Sequence, residues 1–156
     1  MKVAAILTLA TGAAAALASA LPVHAAADGA TVFARCAACH TKTGAGVPGA
    51  FPPLGPDVRT MATSEAGRRY LALVVTRGVS GPIKVAGKPY GGVMPAQGGL
   101  DDASVAAVLN HVGTEIVKTG PEFKPFTEGE ITAFRASGAA LSAQDVGKLH
   151  AAAGGQ

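Results

Sequence analysis

Cys36-Ala37-Ala38-Cys39-His40 is the stretch on which the reading of this chain turns. Cys36 and Cys39 are its only cysteines, and several chemistries use a pair spaced this way. A structural zinc site needs four ligands, usually from two such pairs, and the second pair is absent. A thioredoxin-like redox pair follows a buried strand and opens a helix, whereas Asp28 to Arg35 reads as the start of a helix. A plain disulfide suits an oxidising compartment but leaves His40 without a part. Covalent haem attachment uses all three residues and needs an exported protein. Two thioether bonds to the haem vinyl groups require sulfurs a short, fixed distance apart on one turn of chain. The histidine that follows is then swung under the iron as proximal ligand. The pentapeptide therefore predicts one haem c, held covalently by Cys36 and Cys39 with His40 on the iron. No second such pentapeptide exists, so one haem per chain is the limit.

Upstream, the sequence reads as an export leader. Lys2 supplies a positive start, Val3 to Leu21 is nearly unbroken Ala, Leu, Ile and Val, and Val23-His24-Ala25 presents a small-residue cleavage pattern. Residues 1–26 are thus expected to be a signal peptide cut after Ala25 or Ala26, and the mature protein to be periplasmic. The competing reading is an uncleaved anchor, since the run approaches the roughly 20 residues that span a bilayer. Thr8, Thr11, Gly12 and Ser19 interrupt it. Membrane attachment is expected only if this segment is retained.

The formal charge of +3, which falls by one when Lys2 leaves, is too near neutral to suggest nucleic-acid binding. No Lys/Arg run with interleaved aromatics appears either. The composition is 49% hydrophobic, but much of that is alanine, aromatics are 4% and Trp is absent. Such a chain packs a thin core alone, and a bulky apolar cofactor would help fill it.

Downstream, His111, His150, Met61 and Met94 are the candidates for a second axial ligand. Met94 stands out in Tyr90-Gly91-Gly92-Val93-Met94-Pro95, a glycine-rich run with no regular period that is expected to be a loop around a cofactor edge. Pro95 stiffens the chain after it, and thioether sulfur raises a haem potential relative to a second imidazole. A lone Met is otherwise core filler.

With these motifs in order, the chain resembles a class I (monohaem) c-type cytochrome, and is similar to periplasmic cytochrome c subunits of bacterial dehydrogenases, over about Asp28 to Thr119. Phe51-Pro52-Pro53-Leu54 resembles the family's Pro-x-Leu segment. The resemblance implies that the Pro52 carbonyl accepts a hydrogen bond from His40, fixing its tautomer, and that Leu54 packs on the haem. It also implies that the first and last helices cross at Gly29 and Phe33 against Val108 and His111. The family usually has an aromatic where His111 stands, so His111 is expected to stack on Phe33. Ligation of iron from that helix crossing would conflict with the face it occupies. Tyr90, four residues before Met94, is expected at the haem edge through a hydrogen bond or plain packing.

The implied fold is all-α: several helices wrapped around one covalently bound haem over residues 27–119, with a short helical extension over 120–156. Thr63 or Ser64 predicts a helix start and Gly78 its end near Arg77. Tyr70, Leu71, Val74 and Val75 form its apolar face. Ser80 to Gly92, around Ile83-Lys84-Val85, reads as an extended loop or short hairpin. Asp101 or Asp102 caps a helix expected to run to about Val117. In the tail, Thr127-Glu128-Gly129-Glu130 is a capping box, Ser142-Ala143-Gln144-Asp145 begins a second helix, and His150 is expected to be solvated near the end. The tail is too short for its own core, so it should pack on the cytochrome domain or meet a partner.

Functionally, the resemblance implies a periplasmic electron carrier with His40 and Met94 as axial ligands and no catalytic residues. Its donor would be a dehydrogenase or a quinol-oxidising complex, and its acceptor a terminal oxidase; the tail could make it a dehydrogenase subunit. Lys42, Lys84 and Lys88 are candidate rim charges for docking, or solvated lysines. The alternative is a haem enzyme, a small peroxidase or nitrite-reducing protein, with an open sixth site and a distal acid–base residue. The Met94 run holds no His or Glu to serve as one.

Overall fold

The computed structural model describes residues 28–156; the expected leader over 1–26 lies outside the described residues. The chain begins with α1 (Gly29–His40), started by Asp28, whose carboxylate accepts from the Ala30 and Thr31 amides. This is the N-cap bond that satisfies otherwise orphaned first-turn donors. Next come α2 (Pro56–Met61), with Pro56 at its first position, and α3 (Glu65–Arg77). Ser64 caps α3 by accepting from the Gly67 amide, and Gly78 ends it with φ 77°. In α4 (Asp102–His111), Asp101 accepts from the Ser104 amide. Two tail helices follow, α5 (Glu128–Ser137) and α6 (Ala143–Lys148), each opened by a complete capping box.

The fold is helical but not all-α. Between α3 and α4 lie four short strands in two antiparallel pairs. β2 (Ile83–Val85) pairs with β3 (Lys88–Tyr90), the hairpin foreshadowed by Ile83-Lys84-Val85. Ala86 (φ 51°) and Gly87 (φ 74°) make its two-residue turn, and two positive φ values match the right-handed twist of the flanking strands. The second pair joins β1 (Val79–Ser80) to β4 (Val93–Met94). These last two strands are only two residues long, too short to show a period-2 pattern, which is why the sequence suggested a loop around Met94.

α4 also ends earlier than expected. From Val112 to Ile116 the chain makes a π-helical turn, closed by Val117 N–H donating to the Val112 carbonyl at 2.8 Å. The turn contains Gly113, whose missing Cβ leaves room for the Phe123 ring directly on the backbone.

α1 crosses α4 where Gly29 lacks a side chain. A Cβ there would press into the Ala107 carbonyl and stand 2.8 Å from the His111 Cβ. Val108 is buried beside this crossing, and His111 meets Phe33 there, with ring centroids 5.3 Å apart and the planes tilted by 46° and not stacked face to face. The tail packs on α3, α4 and β1 and shares their core: Ile131 and Val146 are fully buried together with Leu73 and Val105. Arg68 of α3 ties it down, pairing with Glu130 and donating to the Lys124 and Pro125 carbonyls.

Candidate functional site

One apolar cleft runs between α1, α3, the hairpin and β4. It encloses about 1290 Å³ of atom-free space, part of it open to solvent. Cys36, Cys39, His40, Pro52, Leu54, Tyr90 and Met94 all line it. They come from positions up to 58 residues apart, so the fold assembles what the sequence scatters.

The last turn of α1 presents half-buried Cys36 and Cys39 and buried His40 toward the cleft. The chain leaves the helix at Thr41 with φ 62° and folds back on itself. Gly46 N–H donates to the His40 carbonyl at 2.9 Å, and Leu54 N–H to the Gly44 carbonyl at 2.7 Å. Gly46 has φ 65°, and a Cβ there would stand 2.6 Å from the Pro52 carbonyl oxygen. Its absence lets the Pro52 segment close over the helix end.

That closure sets the histidine. His40 Nδ1 lies 2.9 Å from the Pro52 carbonyl oxygen. A carbonyl only accepts, so Nδ1 carries the hydrogen and Nε2 keeps its lone pair. Burial holds the His40 imidazole below its ordinary pKa, partly offset by the bond to Pro52, so the neutral, ligating form is favoured. Burial also pushes the Cys36 thiol up. That moves Cys36 away from the low-pKa thiolate used in disulfide exchange.

Met94 is not on an irregular loop. It lies on β4, in register with Val79, because the glycine-rich run before it turns back against β1. Gly78 passes close beneath: a Cβ there would stand 2.5 Å from the Met94 carbonyl. Gln97 N–H donates to the Val75 carbonyl at 2.8 Å, fastening the chain after Pro95 to α3. Tyr90 is buried in β3 opposite Ile83. In β2, Ile83 and Val85 line the cleft while the exposed Lys84 between them does not.

His150 departs most from expectation. Instead of being solvated it is 6% exposed and forms part of the cleft wall. Nδ1 is 2.9 Å from the Tyr70 hydroxyl, and Nε2 bonds the Lys84 carbonyl. By the carbonyl argument Nε2 carries the hydrogen, so Nδ1 accepts from Tyr70. Both nitrogens are engaged, which leaves His150 neither a free ligand nor a free acid–base group. Burial raises the Tyr70 phenol well above its ordinary pKa, keeping that donor protonated. The sequence carries a signal for this burial: Val146, His150 and Ala153 fall at i, i+4 and i+7, a helical spacing, and all three are buried.

The donor set and wall fit an iron porphyrin. Two thiols and a bare imidazole nitrogen stand on one side, a thioether lies on β4, and the rest of the wall is mostly carbon. Among the described residues no three or more His, Cys, Asp or Glu side chains cluster to hold a bare metal ion. None of the described helices is long and apolar enough to cross a membrane.

The cytochrome c family model matches residues 26–114. A cytochrome c-552 of Thermus thermophilus is 47% identical over 112 residues, covering 70% of this chain and 86% of the relative. A second cytochrome c-552 of Thermus thermophilus is likewise 47% identical over 112 residues, covering 70% of this chain and 76% of the relative.

Proposed function

The chain belongs to the cytochrome c family, among the class I monohaem c-type cytochromes, and from that premise we propose that it is a periplasmic carrier of single electrons with His40 and Met94 as axial ligands and one haem on Cys36 and Cys39. The observation that carries this reading is the His40–Pro52 bond, which leaves Nε2 bare inside an apolar cleft that Met94 also lines. When bound, the haem supplies a one-electron iron couple.

The chain's own residues do the rest. Pro52 holds the imidazole in one tautomer and orientation through both oxidation states. Pairing of β4 with β1 holds Met94 against displacement, so little has to rearrange as charge changes. The apolar wall, including Leu54, Val74, Val75, Val85 and the Tyr90 ring, keeps water away. A thioether paired with an imidazole favours the oxidising end of the potentials available to haem.

Exchange with partners would occur at the cleft mouth, where Phe51 and Val93 are exposed at 38% and 68%. The proposed donors are a dehydrogenase or a quinol-oxidising complex, and the proposed acceptor is a terminal oxidase. Such encounters bury less than about 1,200 Å² and are short-lived. Lys42, Lys84 and Lys88 are exposed and available to steer an acidic partner.

The test is an absorption spectrum of protein matured in the periplasm, oxidised and then reduced. Low-spin c-type bands with the weak far-red band of methionine-bound ferric haem are expected. A high-spin ferric spectrum would overturn the ligand assignment and favour an open-site haem enzyme.

A further inference from the structure

β1 and β4 are each two residues long, and an isolated pair of such strands is marginal in water. Something must back them if Met94 is to stay in place, and the tail does so. α6 packs on β1 so closely that a Cβ on Gly147 would collide with the Ser80 carbonyl. Val146 beside it is fully buried. Just beyond α6, His150 bridges two elements that form the cleft wall: it accepts from Tyr70 of α3 and donates to the Lys84 carbonyl of β2. The Tyr70 and His150 rings meet edge-on at 5.3 Å. The last residues fold back, with the Gly155 backbone against the imidazole and the Gln156 carbonyl accepting from Gly87 of the hairpin turn at 3.4 Å.

We infer that His150 is a positioning residue for Met94: by pinning the end of α6 to α3 and β2, it holds β1, and through β1 the strand that carries the thioether, in the ligating position. The inference rests on the reading of Met94 as axial ligand. It assigns the tail a task in electron transfer, since a sulfur that stays put keeps one ligand set through both oxidation states.

Displacement of Met94 by added imidazole in the ferric holoprotein measures how readily this region opens locally. Losing the two buried hydrogen bonds in His150→Ala should tighten imidazole binding about tenfold and make the far-red band fade at lower temperature. His150→Gln, which can accept from Tyr70 and donate to Lys84, should restore affinity to within about twofold. Tyr70→Phe keeps the ring but removes one bond, and should tighten binding by a smaller factor, about threefold. Arg68→Met loosens the tail elsewhere, so it should lower the global unfolding midpoint while leaving imidazole affinity within about twofold.

Unchanged imidazole affinity in both His150→Ala and Tyr70→Phe would overturn the inference, as would an equal tightening in Arg68→Met. Met94→Ala separates the two layers. If it abolishes the far-red band while the His150 and Tyr70 variants bind imidazole like the parent, only the positioning role falls. If the band survives Met94→Ala, the ligand assignment falls and the positioning role with it.

Discussion

Arg68→Met should destabilise the holoprotein by about 3 kcal/mol without touching the cofactor cleft. The Arg68 side chain is 9% exposed. It donates to both Glu130 carboxylate oxygens at 3.0 Å, to the Lys124 carbonyl at 2.8 Å and to the Pro125 carbonyl at 3.1 Å. Its guanidinium also lies 3.9 Å from the centre of the Phe126 ring. Methionine retains part of the stem packing but satisfies none of these acceptors. Breaking a buried pair from one side costs about 3–5 kcal/mol. The lower end applies because Glu130 is 30% exposed and keeps its bonds to the Thr127 amide and hydroxyl. For a chain of this size the loss corresponds to about 6–12 °C in Tm, read by far-ultraviolet circular dichroism at neutral pH.

The same variant has a pH signature. Arg68 is the main cause that holds the Glu130 carboxyl below its ordinary 4.5. A depressed carboxylate stabilises the fold above its unfolded pKa, and that contribution is lost as pH falls through the folded value. The stability gap between parent and Arg68→Met should therefore narrow as pH drops below about 4.5. Asp28, Glu115 and Asp145 are also depressed, but they titrate in both proteins and cancel in the difference. A loss below about 1 kcal/mol, or a gap that does not change with acid, would refute this account of what fastens the tail.

Gly29→Ala forces a methyl group into the Ala107 carbonyl at the α1–α4 crossing and should cost about 1–3 kcal/mol in urea unfolding, with the spectrum retained. Thr127→Ala removes the capping box of α5 and should lower stability by about 1 kcal/mol while leaving the reduction potential unchanged. Val93→Asp puts a charge where a partner must shed water. It should slow electron exchange with a redox partner about tenfold in stopped-flow mixing, at an unchanged potential. Equal exchange rates would move the docking surface away from the cleft mouth.

What the sequence disclosed was mostly local. The pentapeptide, the helix start at Asp28 to Arg35, the helix signals at Ser64, Thr127 and Ser142, and Gly78 at the end of α3 each act over a few residues, and each appears in the structure as its neighbours dictate. The Phe51 to Leu54 segment was legible only through its resemblance to a family motif, yet the Pro52 carbonyl meets His40 across twelve positions. The features missed depend on longer range. A partner fifteen positions away turns Val93–Met94 into a strand, and the partner of His150 is Tyr70, eighty positions earlier. A histidine near a chain end reads as solvated until the turn carrying it, just beyond α6, is seen packed on the cleft wall. The π-helical turn is of the same kind, since it sits where the Phe123 ring meets Gly113.

The poor supply of bulky side chains, visible in the composition, finds its answer in two places. On one side of α3 the tail supplies Phe123, Phe126, Ile131 and Val146, all buried. Ile131 and Val146 are two of the four largest fully buried side chains in the described chain. On the other side Val74 and Val75 face the cleft instead of a protein core, so a cofactor completes the packing there. α3 is thus pressed between an extension and a haem site, and Tyr70 and Arg68 on that one helix hold the tail at both ends. A tail built in this way cannot be a detachable arm. Removing residues 120–156 would strip α3 of the cover that α5 and α6 give it and leave β1, and with it Met94, without the backing of α6.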